Sequence, residues 1–289
     1  MRLQLVLAAL LLLGACAKRD DSDAWGNFEV EETVLSARIA GNITDLAVKE
    51  GDKVVAGEVL AVIDTTDLAY SKAELESNIA MLELKIQAAL EKQKLSQTER
   101  ANLSLERERF AKLLQQKATT QKQVDDLEAG LRLADNKLGL AKTEIAMAKA
   151  EKGMAVAKLN TLKGNLEKCY VKAPVDGTVL SVYANMGELA ALAKPIIKLG
   201  DLDSMKAVFF ISGKQLKEIK LQQKVKLRVD AAHGLQQYPA EISYISDKAE
   251  FTPKVIQTRE ERTKLVYRVE AMCKNDGSLK QGMPLEVVF

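Results

Sequence analysis

The stretch over residues 68–168 contains no proline and is dominated by alanine, leucine, lysine, glutamate and glutamine. These residues are good helix formers, and without proline nothing forces an interruption of the helical hydrogen bonds. One helix of this length would carry its far end away from the rest of the chain. The segment 117–120 offers a break, because Thr119 or Thr120 can cap a new helix and Gln123 completes a capping box with Thr120. We predict two helices, about 68–116 and 120–168, folded back on each other.

The second predicted helix carries an apolar seam whose spacing alternates between three and four residues. Its members are Val124, Leu127, Leu131, Ala134, Leu138, Ala141, Ile145, Ala148, Ala155, Leu159, Leu162 and Leu166, and Lys152 interrupts it. Such spacing is typical of a coiled coil. The first helix is less regular, because Gln93, Ser96, Arg100 and Arg107 occupy seam positions. We expect an antiparallel coiled-coil hairpin about 70 Å long, wetter in the distal half of its first helix.

Short strands separated by glycine turns flank the helical stretch on both sides. Apolar and polar residues alternate over 28–67, which Gly41, Gly51 and Gly57 interrupt, and similar strands resume over 169–202. Residues 203–289 contain further short strands that favour a small β-barrel. The predicted fold is therefore an elongated, mixed α and β protein. It consists of a split β-sandwich with the long helical hairpin inserted, followed by the barrel.

The chain opens with MRLQLVLAALLLLGAC, which has a basic start, an apolar run and small residues before Cys16. The apolar run over 3–13 is shorter than the about 20 residues that span a bilayer, and it is typical of a signal peptide. The sequence Leu13-Gly14-Ala15-Cys16 looks like a bacterial lipobox, in which the cysteine becomes a lipidated N-terminus. We expect a signal peptide over 1–15, lipidation at Cys16 and a polar tether over 16–27. An ordinary cleaved signal peptide and an uncleaved anchor are the alternatives.

Charge and motif content argue against several functional classes. The net charge is +2 with both signs interspersed, so no basic stripe indicates nucleic-acid binding. Carboxylates alternate with lysines and arginines along the predicted hairpin, which favours i,i+4 ion pairs on a solvated face over acid–base catalysis. We find no G-x-S-x-G, P-loop or clustered metal ligands, and His233, the only histidine, falls in a predicted loop. We therefore expect neither a catalytic site nor a metal site.

Two cysteines remain besides Cys16. Cys169 and Cys273 both lie in strand-like segments, where buried thiols are common. Spacing alone gives no distance between them, so a disulfide stays open.

The two β segments beside the helices, GNITDLAVKEGDKVVAGEVLAVID and DGTVLSVYANMGELAALAKPIIKLGD, resemble the halves of a biotinyl/lipoyl carrier fold. An APxDG-like signature is present as Ala173-Pro174-Val175-Asp176-Gly177. With the helical insertion and the lipobox, the chain resembles the HlyD-type membrane fusion proteins, or periplasmic adaptors, over nearly its whole mature length. The segment 249–271 is similar to adaptors that are paired with ABC-type exporters. The closing segment 282–289 resembles the family's terminal barrel strand.

The resemblance implies an adaptor that links an inner-membrane exporter to a TolC-type outer-membrane channel. An ABC-type exporter is favoured over a proton-driven one, and the family implies a hexamer. In the family, an arginine, a leucine four residues on and a serine seven further contact the channel at the hairpin tip. Here these positions hold Arg109, Leu113 and Thr120, and the threonine keeps the hydroxyl but adds a methyl group. We expect a periplasmic protein anchored through Cys16 to the inner membrane, with the outer membrane as the alternative.

A true carrier domain places its modified lysine on a tight hairpin between the two halves, usually between methionines. Here the helices occupy that position and no Met-Lys-Met is present, so we expect no covalent cofactor and no enzymatic activity. A lipoyl-type carrier or accessory protein is one alternative function. A coiled-coil envelope scaffold without a transport role is another.

Overall fold

The computed structural model describes residues 22–231, 234–251 and 265–289, and it contains two β-units and one helical hairpin. The strands, in chain order, are β1 (Ala24–Glu29), β2 (Glu32–Ser36), β3 (Gly41–Leu46), β4 (Lys53–Val54), β5 (Val59–Ile63), β6 (Tyr170–Lys172), β7 (Gly177–Val182), β8 (Leu189–Ala190), β9 (Pro195–Gly200), β10 (Ser204–Ser212), β11 (Lys224–Ala231), β12 (Gly234–Phe251), β13 (Leu265–Lys274) and β14 (Pro284–Val288). The helices are α1 (Thr66–Gln115) and α2 (Gln121–Cys169), and a 3₁₀ turn covers Gln215–Lys217. This architecture confirms the predicted fold class.

The first β-unit is a sandwich of two four-stranded sheets to which both flanks of the hairpin contribute. The strand orders are β2-β9-β7-β4 and β6-β5-β3-β8. Strands β2 to β5 precede the hairpin and β6 to β9 follow it, so neither flank completes a sheet alone. Leu60 and Ile63 from the first flank share one core with Ile197 and Leu199 from the second. The hairpin leaves the sandwich between β5 and β6.

The second β-unit is a closed six-stranded barrel with the order β1-β10-β13-β12-β11-β14. Its core contains Phe28 from β1, Phe209 and Ile211 from β10 and Leu227 from β11. In the described residues, closure gives every barrel strand a partner on each side, which removes the free edge strands of an open sheet.

Strand β1 corrects the predicted boundary at residue 28. We expected a polar tether over 16–27 and a sandwich strand after it, whereas Ala24–Glu29 is a barrel strand that pairs with β10 and β14. The approach to β10 is so close that a Cβ on Gly26 would lie 2.0 Å from the carbonyl oxygen of Val208. Both partner strands lie far along the chain, so the local pattern could not indicate which sheet this strand joins.

The two helices pack along the predicted seam. The seam residues of α2 are all buried or half-buried, and the buried ones are Val124, Ala134, Ala141, Ile145, Ala148, Ala155 and Leu159. Within α1, all of which the structure describes, only Leu82 and Ala89 are buried, and both lie in the half nearer the sandwich. The distal half of α1 is therefore the more solvent-exposed half, as predicted from its polar seam positions.

Cys169 and Cys273 lie in different cores. Cys169 belongs to the sandwich core and Cys273 to the barrel core, and both thiols are free. The disulfide that the sequence left open is therefore absent from the described residues. Burial raises the pKa of the Cys273 thiol to about 11 and also raises the pKa of the Cys169 thiol. Both thiols therefore stay protonated at neutral pH, which makes them poor nucleophiles.

Candidate partner-docking site at the hairpin tip

The tip of the hairpin is a tight turn that begins where α1 ends at Gln115. The amide of Ala118 donates to the carbonyl of Leu113 at 3.0 Å, and the amide of Lys117 donates to the carbonyl of Leu114 at 2.9 Å. Lys117 adopts a left-handed conformation with φ of 60°. This combination is a Schellman motif, which satisfies the last carbonyls of a helix. The backbone at the tip is therefore well defined.

Thr120 begins α2 through the predicted capping box with Gln123. The Gln123 Oε1 atom accepts hydrogen bonds from the Thr120 amide and from its hydroxyl, each at 3.3 Å. The Thr119 hydroxyl donates to the same oxygen. The capping box uses one lone pair of the Thr120 hydroxyl oxygen, and because Thr120 is exposed, the second lone pair remains accessible to a donor on another molecule.

Arg109 and Leu113 lie one helical turn apart on α1 and therefore share a face of the helix. Arg109 is exposed and Leu113 is half-buried. The preceding arginines point to α2 instead, where Arg107 binds Glu128 at 2.7 Å. Arg109 has no ion-pair partner in the described part of the chain. The last two turns of α1 thus offer an unpaired cation beside an apolar side chain, with the Thr120 hydroxyl across the turn.

Sequence reasoning missed the ion pairs that join the two helices. We expected pairs of the i,i+4 type, and the fully described hairpin contains two of them, Lys72–Glu76 and Glu108–Lys112. Six further pairs connect α1 with α2. They are Glu83–Lys152, Lys85–Glu151, Lys92–Glu144, Glu99–Lys137, Arg100–Asp135 and Arg107–Glu128. The sequence contained a signal for these pairs, because the opposite charges lie at matching numbers of residues before and after the turn.

The seam interruption at Lys152 belongs to this set. Its ammonium group lies 2.7 Å from the Glu83 carboxylate of α1. A cation at a seam position is tolerated because its long side chain reaches the edge of the interface and finds a carboxylate there.

A second apolar stripe on α2 was also missed. Leu133, Leu140, Met147 and Met154 follow one another at seven-residue intervals and are 58%, 71%, 61% and 62% exposed. Each of them directly precedes an alanine of the buried seam. We call this set the outer stripe. No other described residue covers it, so the hairpin presents a continuous apolar edge beside its own interface.

The described residues contain no group of three or more His, Cys, Asp or Glu side chains that could hold a metal ion. In the same residues, neither long helix is apolar enough to cross a membrane. Cys16 and His233 lie outside the described residues.

Comparisons with known proteins identify the class to which this architecture belongs. A family model for the CzcB-like, barrel-sandwich hybrid domain matches residues 31–201, which is more than half of the chain. MacA from Actinobacillus actinomycetemcomitans is 25% identical and superposes with a TM-score of 0.69 over 91% of this chain and 76% of that protein. The membrane fusion protein Spr0693 from Streptococcus pneumoniae R6 shares the fold at 16% identity, with a TM-score of 0.52 over 91% of this chain and 96% of that protein.

The chain belongs to the HlyD-type membrane fusion protein family and carries a CzcB-like barrel-sandwich hybrid domain. The matched region begins at residue 31, two residues after the end of β1, the strand that joins the barrel. At the sequence level, the UPF0194 membrane protein YE2891 of Yersinia enterocolitica serotype O:8 is 28% identical over 314 aligned positions. That alignment covers 98% of this chain and 95% of the relative.

Proposed function

We propose that this chain is the adaptor subunit of a tripartite efflux or secretion system. In this proposal it links an inner-membrane exporter to a TolC-type outer-membrane channel, and it catalyses no reaction itself. The observation that carries the proposal is the hairpin, whose helices of 50 and 49 residues extend about 75 Å from the sandwich at about 1.5 Å per residue. A closed, well-defined tip at that distance from the sandwich suits a bridge between two partners.

The unpaired charge at the tip supports docking there. Arg100 and Arg107 are neutralised by carboxylates of α2, whereas Arg109 has no such partner in the described residues. An exposed cation is free to bind an acceptor on another molecule, and Leu113 beside it offers apolar contact. Together with Thr120 these groups suit a tip-to-tip contact with helical hairpins of a channel.

The outer stripe supports lateral assembly of several copies. Heptad spacing on an exposed face is the pattern that packs against another helix. On α1 the exposed apolar residues Met81, Leu84 and Leu95 offer a second surface. Contact of the outer stripe of one copy with α1 of the next is heterologous, and such contacts form a ring when the rotation between copies closes. We infer a ring of hairpins, with six copies as the family resemblance implies.

Anchoring rests on Cys16 and the lipobox sequence before it. We propose that the lipid holds the chain to the periplasmic leaflet of the inner membrane. The similarity of segment 249–271 to adaptors of ABC-type exporters favours an ABC-type partner, although residues 252–264 of that segment lie outside the described structure. A proton-driven exporter and anchoring in the outer membrane are the alternatives that remain in this proposal.

A paired deletion tests the bridging role. Residues 90–103 and 132–145 face each other across the hairpin, as the Lys92–Glu144 and Arg100–Asp135 pairs demonstrate. Removing both segments takes two heptads from each helix, so it preserves the seam register and the tip but shortens the hairpin by about 21 Å. We expect the export phenotype to fall to that of a strain without the protein.

The control replaces the same two segments with heptads of equal length and generic Ala, Leu, Glu and Lys sequence. This variant keeps the reach of the hairpin and should retain export. Normal helicity and membrane association of the shortened protein would show that it is folded. Full export by a folded, shortened protein would contradict the bridge and favour the scaffold function.

Charge reversal at Arg109 tests the docking contact. We expect Arg109→Glu to abolish photocrosslinks from a probe at Leu113 to the channel and to reduce export strongly. Arg132→Glu is the matched control, because Arg132 is also exposed and without an ion pair among the described residues, but lies further from the tip. Equal effects of the two reversals would argue that charge on the hairpin matters in general and that the tip has no special role.

A further inference from the structure

The two ends of the barrel differ in what they carry. The chain passes from the barrel to the sandwich after the end of β1 and returns to the barrel at the start of β10. Both connections therefore lie at one end of the barrel. The alternating strand directions place the start of β1, the end of β14 and the loop over 213–223 at the opposite end. We call that opposite end the distal end. The chain that precedes β1 therefore reaches the barrel on the side away from the sandwich.

The distal end is strongly cationic along its connecting loop. The segment 213–224 contains four lysines and one acidic residue, and all five are exposed. None of the lysines forms an ion pair with the described residues. The lysines are Lys214, Lys217, Lys220 and Lys224, and the acid is Glu218.

Two contacts hold this loop against the N-terminal strand and the barrel. The side-chain amide of Gln215, which lies between Lys214 and Lys217, donates to the carbonyl of Asp23 at 2.6 Å. Ile219 is buried in the barrel core. The loop that carries the lysines is therefore held beside the start of β1 by these two contacts.

Trp25 adds an aromatic side chain to the same region. It is the only tryptophan of the chain, it lies two residues after Asp23 on β1, and it is 56% exposed. Burial of a large ring normally stabilises a fold, so an exposed indole beside a cationic loop offers apolar area that a partner can bury. Tryptophan is enriched at membrane–water interfaces because its ring is apolar while its N–H group can bond to headgroups.

We propose that the distal end lies on an anionic bilayer surface, with Trp25 at headgroup depth and the lysines facing acidic lipids. The inference rests on the lipid anchor of the proposed function and extends it from one residue to a surface. Cys16 and Ala24 are eight residues apart, so an extended chain separates them by at most about 28 Å. A single anchor with a polybasic surface is a known route to stable attachment, because each lysine near an acidic leaflet adds to the attraction.

The fluorescence of Trp25 tests this directly, because no other tryptophan contributes. The lipidated, full-length mature protein would be inserted into vesicles of phosphatidylethanolamine and phosphatidylglycerol. We expect a blue-shifted emission and strong quenching by lipids brominated near the headgroup. In vesicles of phosphatidylcholine alone the quenching should be weaker, because the lysines lose their acidic partners.

One double variant and two controls sharpen the test. Lys214→Glu with Lys217→Glu should remove most of the bromolipid quenching. The control pair Lys274→Glu with Lys280→Glu alters exposed lysines at the sandwich-facing end and should leave the quenching unchanged. Moving the fluorophore with Trp25→Phe and Tyr70→Trp places it on exposed helix α1 and should give no bromolipid quenching.

The outcomes separate the surface from the anchor. The protein could float with the vesicles while Trp25 stays accessible to acrylamide and insensitive to brominated lipids. That result would overturn the proposed membrane-binding surface and leave the lipid anchor intact. Failure to float would contradict the anchor and the surface together. An emission change that occurs only after the exporter is added would assign the distal end to a protein partner and overturn the proposal.

Discussion

The β-units and the hairpin are stabilised by different means. The sandwich and the barrel enclose large side chains completely, for example Leu60 and Ile197 in one and Phe28 and Phe209 in the other. The hairpin seam buries mainly alanines, and its interhelical ion pairs are between about one third and two thirds exposed. A buried alanine removes little apolar area from water, and an exposed ion pair contributes about 1 kcal/mol at most. The hairpin therefore gains reach with little stability of its own.

This difference indicates what the ion pairs achieve in the hairpin. Along one edge the cation lies on α1 in Lys85–Glu151 and Lys92–Glu144, but on α2 in Glu99–Lys137. If one helix slipped by one heptad in one direction, Lys92 would lie opposite Lys137. A slip in the other direction would place Glu99 opposite Glu144. An apolar seam with a heptad repeat would by itself tolerate either slip, because apolar residues would still face each other. The charges thus specify the register, and with it the position of the tip.

The largest effect should come from the barrel core. Phe209 is fully buried and its ring lies 6.2 Å from that of Phe289. Phe209→Ala should lower the free energy of unfolding by about 3–5 kcal/mol, because it removes the ring and leaves a cavity. Urea unfolding followed by Trp25 fluorescence measures the barrel, since Trp25 lies on β1.

The matched change in the hairpin is Leu82→Ala. We expect a loss near the lower end of the range for such truncations, about 2 kcal/mol, because a two-helix seam can collapse or admit water. Far-UV circular dichroism, which is dominated by the helices, is the appropriate probe. A loss as large as that of Phe209→Ala would mean that the hairpin has a substantial core after all.

The addition of one methyl group should change the stability in opposite directions in the two regions. Gly26→Ala forces a Cβ to within 2.0 Å of a backbone oxygen on β10, so we expect destabilisation by about 3 kcal/mol or failure of β1 to pair. Gly153→Ala on α2 meets nothing within 4 Å and should stabilise the hairpin by up to about 1 kcal/mol. Thermal unfolding of both variants is the measurement. Destabilisation at Gly153 would indicate a contact of that helix face in the assembled protein.

A smaller effect should follow from reversing one interhelical charge. Glu144→Lys places like charges opposite Lys92 and should lower hairpin stability by less than about 1 kcal/mol, since both side chains are largely exposed. The double variant Lys92→Glu with Glu144→Lys should recover that loss. Crosslinking between the helices would show whether the single variant also populates a shifted register. Without recovery in the double variant, pairwise attraction could not explain the arrangement.

The smallest effect should be a pH dependence within the sandwich. Lys198, at 2.8 Å, and Gln281 hold the pKa of Glu32 below its ordinary value of 4.5. A depressed folded-state pKa contributes stability that is present above pH 4.5 and is lost as the pH falls through the lower value. The melting temperature of Glu32→Gln should therefore lie below that of the parent protein at neutral pH. The gap should close in more acidic solution, and a constant gap would assign the effect to packing.

The sequence alone determined the elements that depend on local pattern. The proline-free stretch and its heptads gave two helices, a turn near residues 117–120 and the capping role of Thr120. The resemblance to adaptors then indicated Arg109, Leu113 and Thr120 as candidates at the tip. These inferences succeed because helix propensity, capping and seam periodicity are set by residues within a few positions of each other.

Only the tertiary structure decided the features that depend on distant partners. Strand β1 belongs to the barrel because its edges match strands far along the chain, and no local pattern encodes that choice. The same applies to the separate burial of Cys169 and Cys273, to the interhelical ion pairs and to the lack of an ion-pair partner for Arg109 among the residues that the structure describes. The outer stripe is visible in the sequence as a seven-residue repeat, but its exposure became evident only when the alanine seam beside it was shown to form the interface.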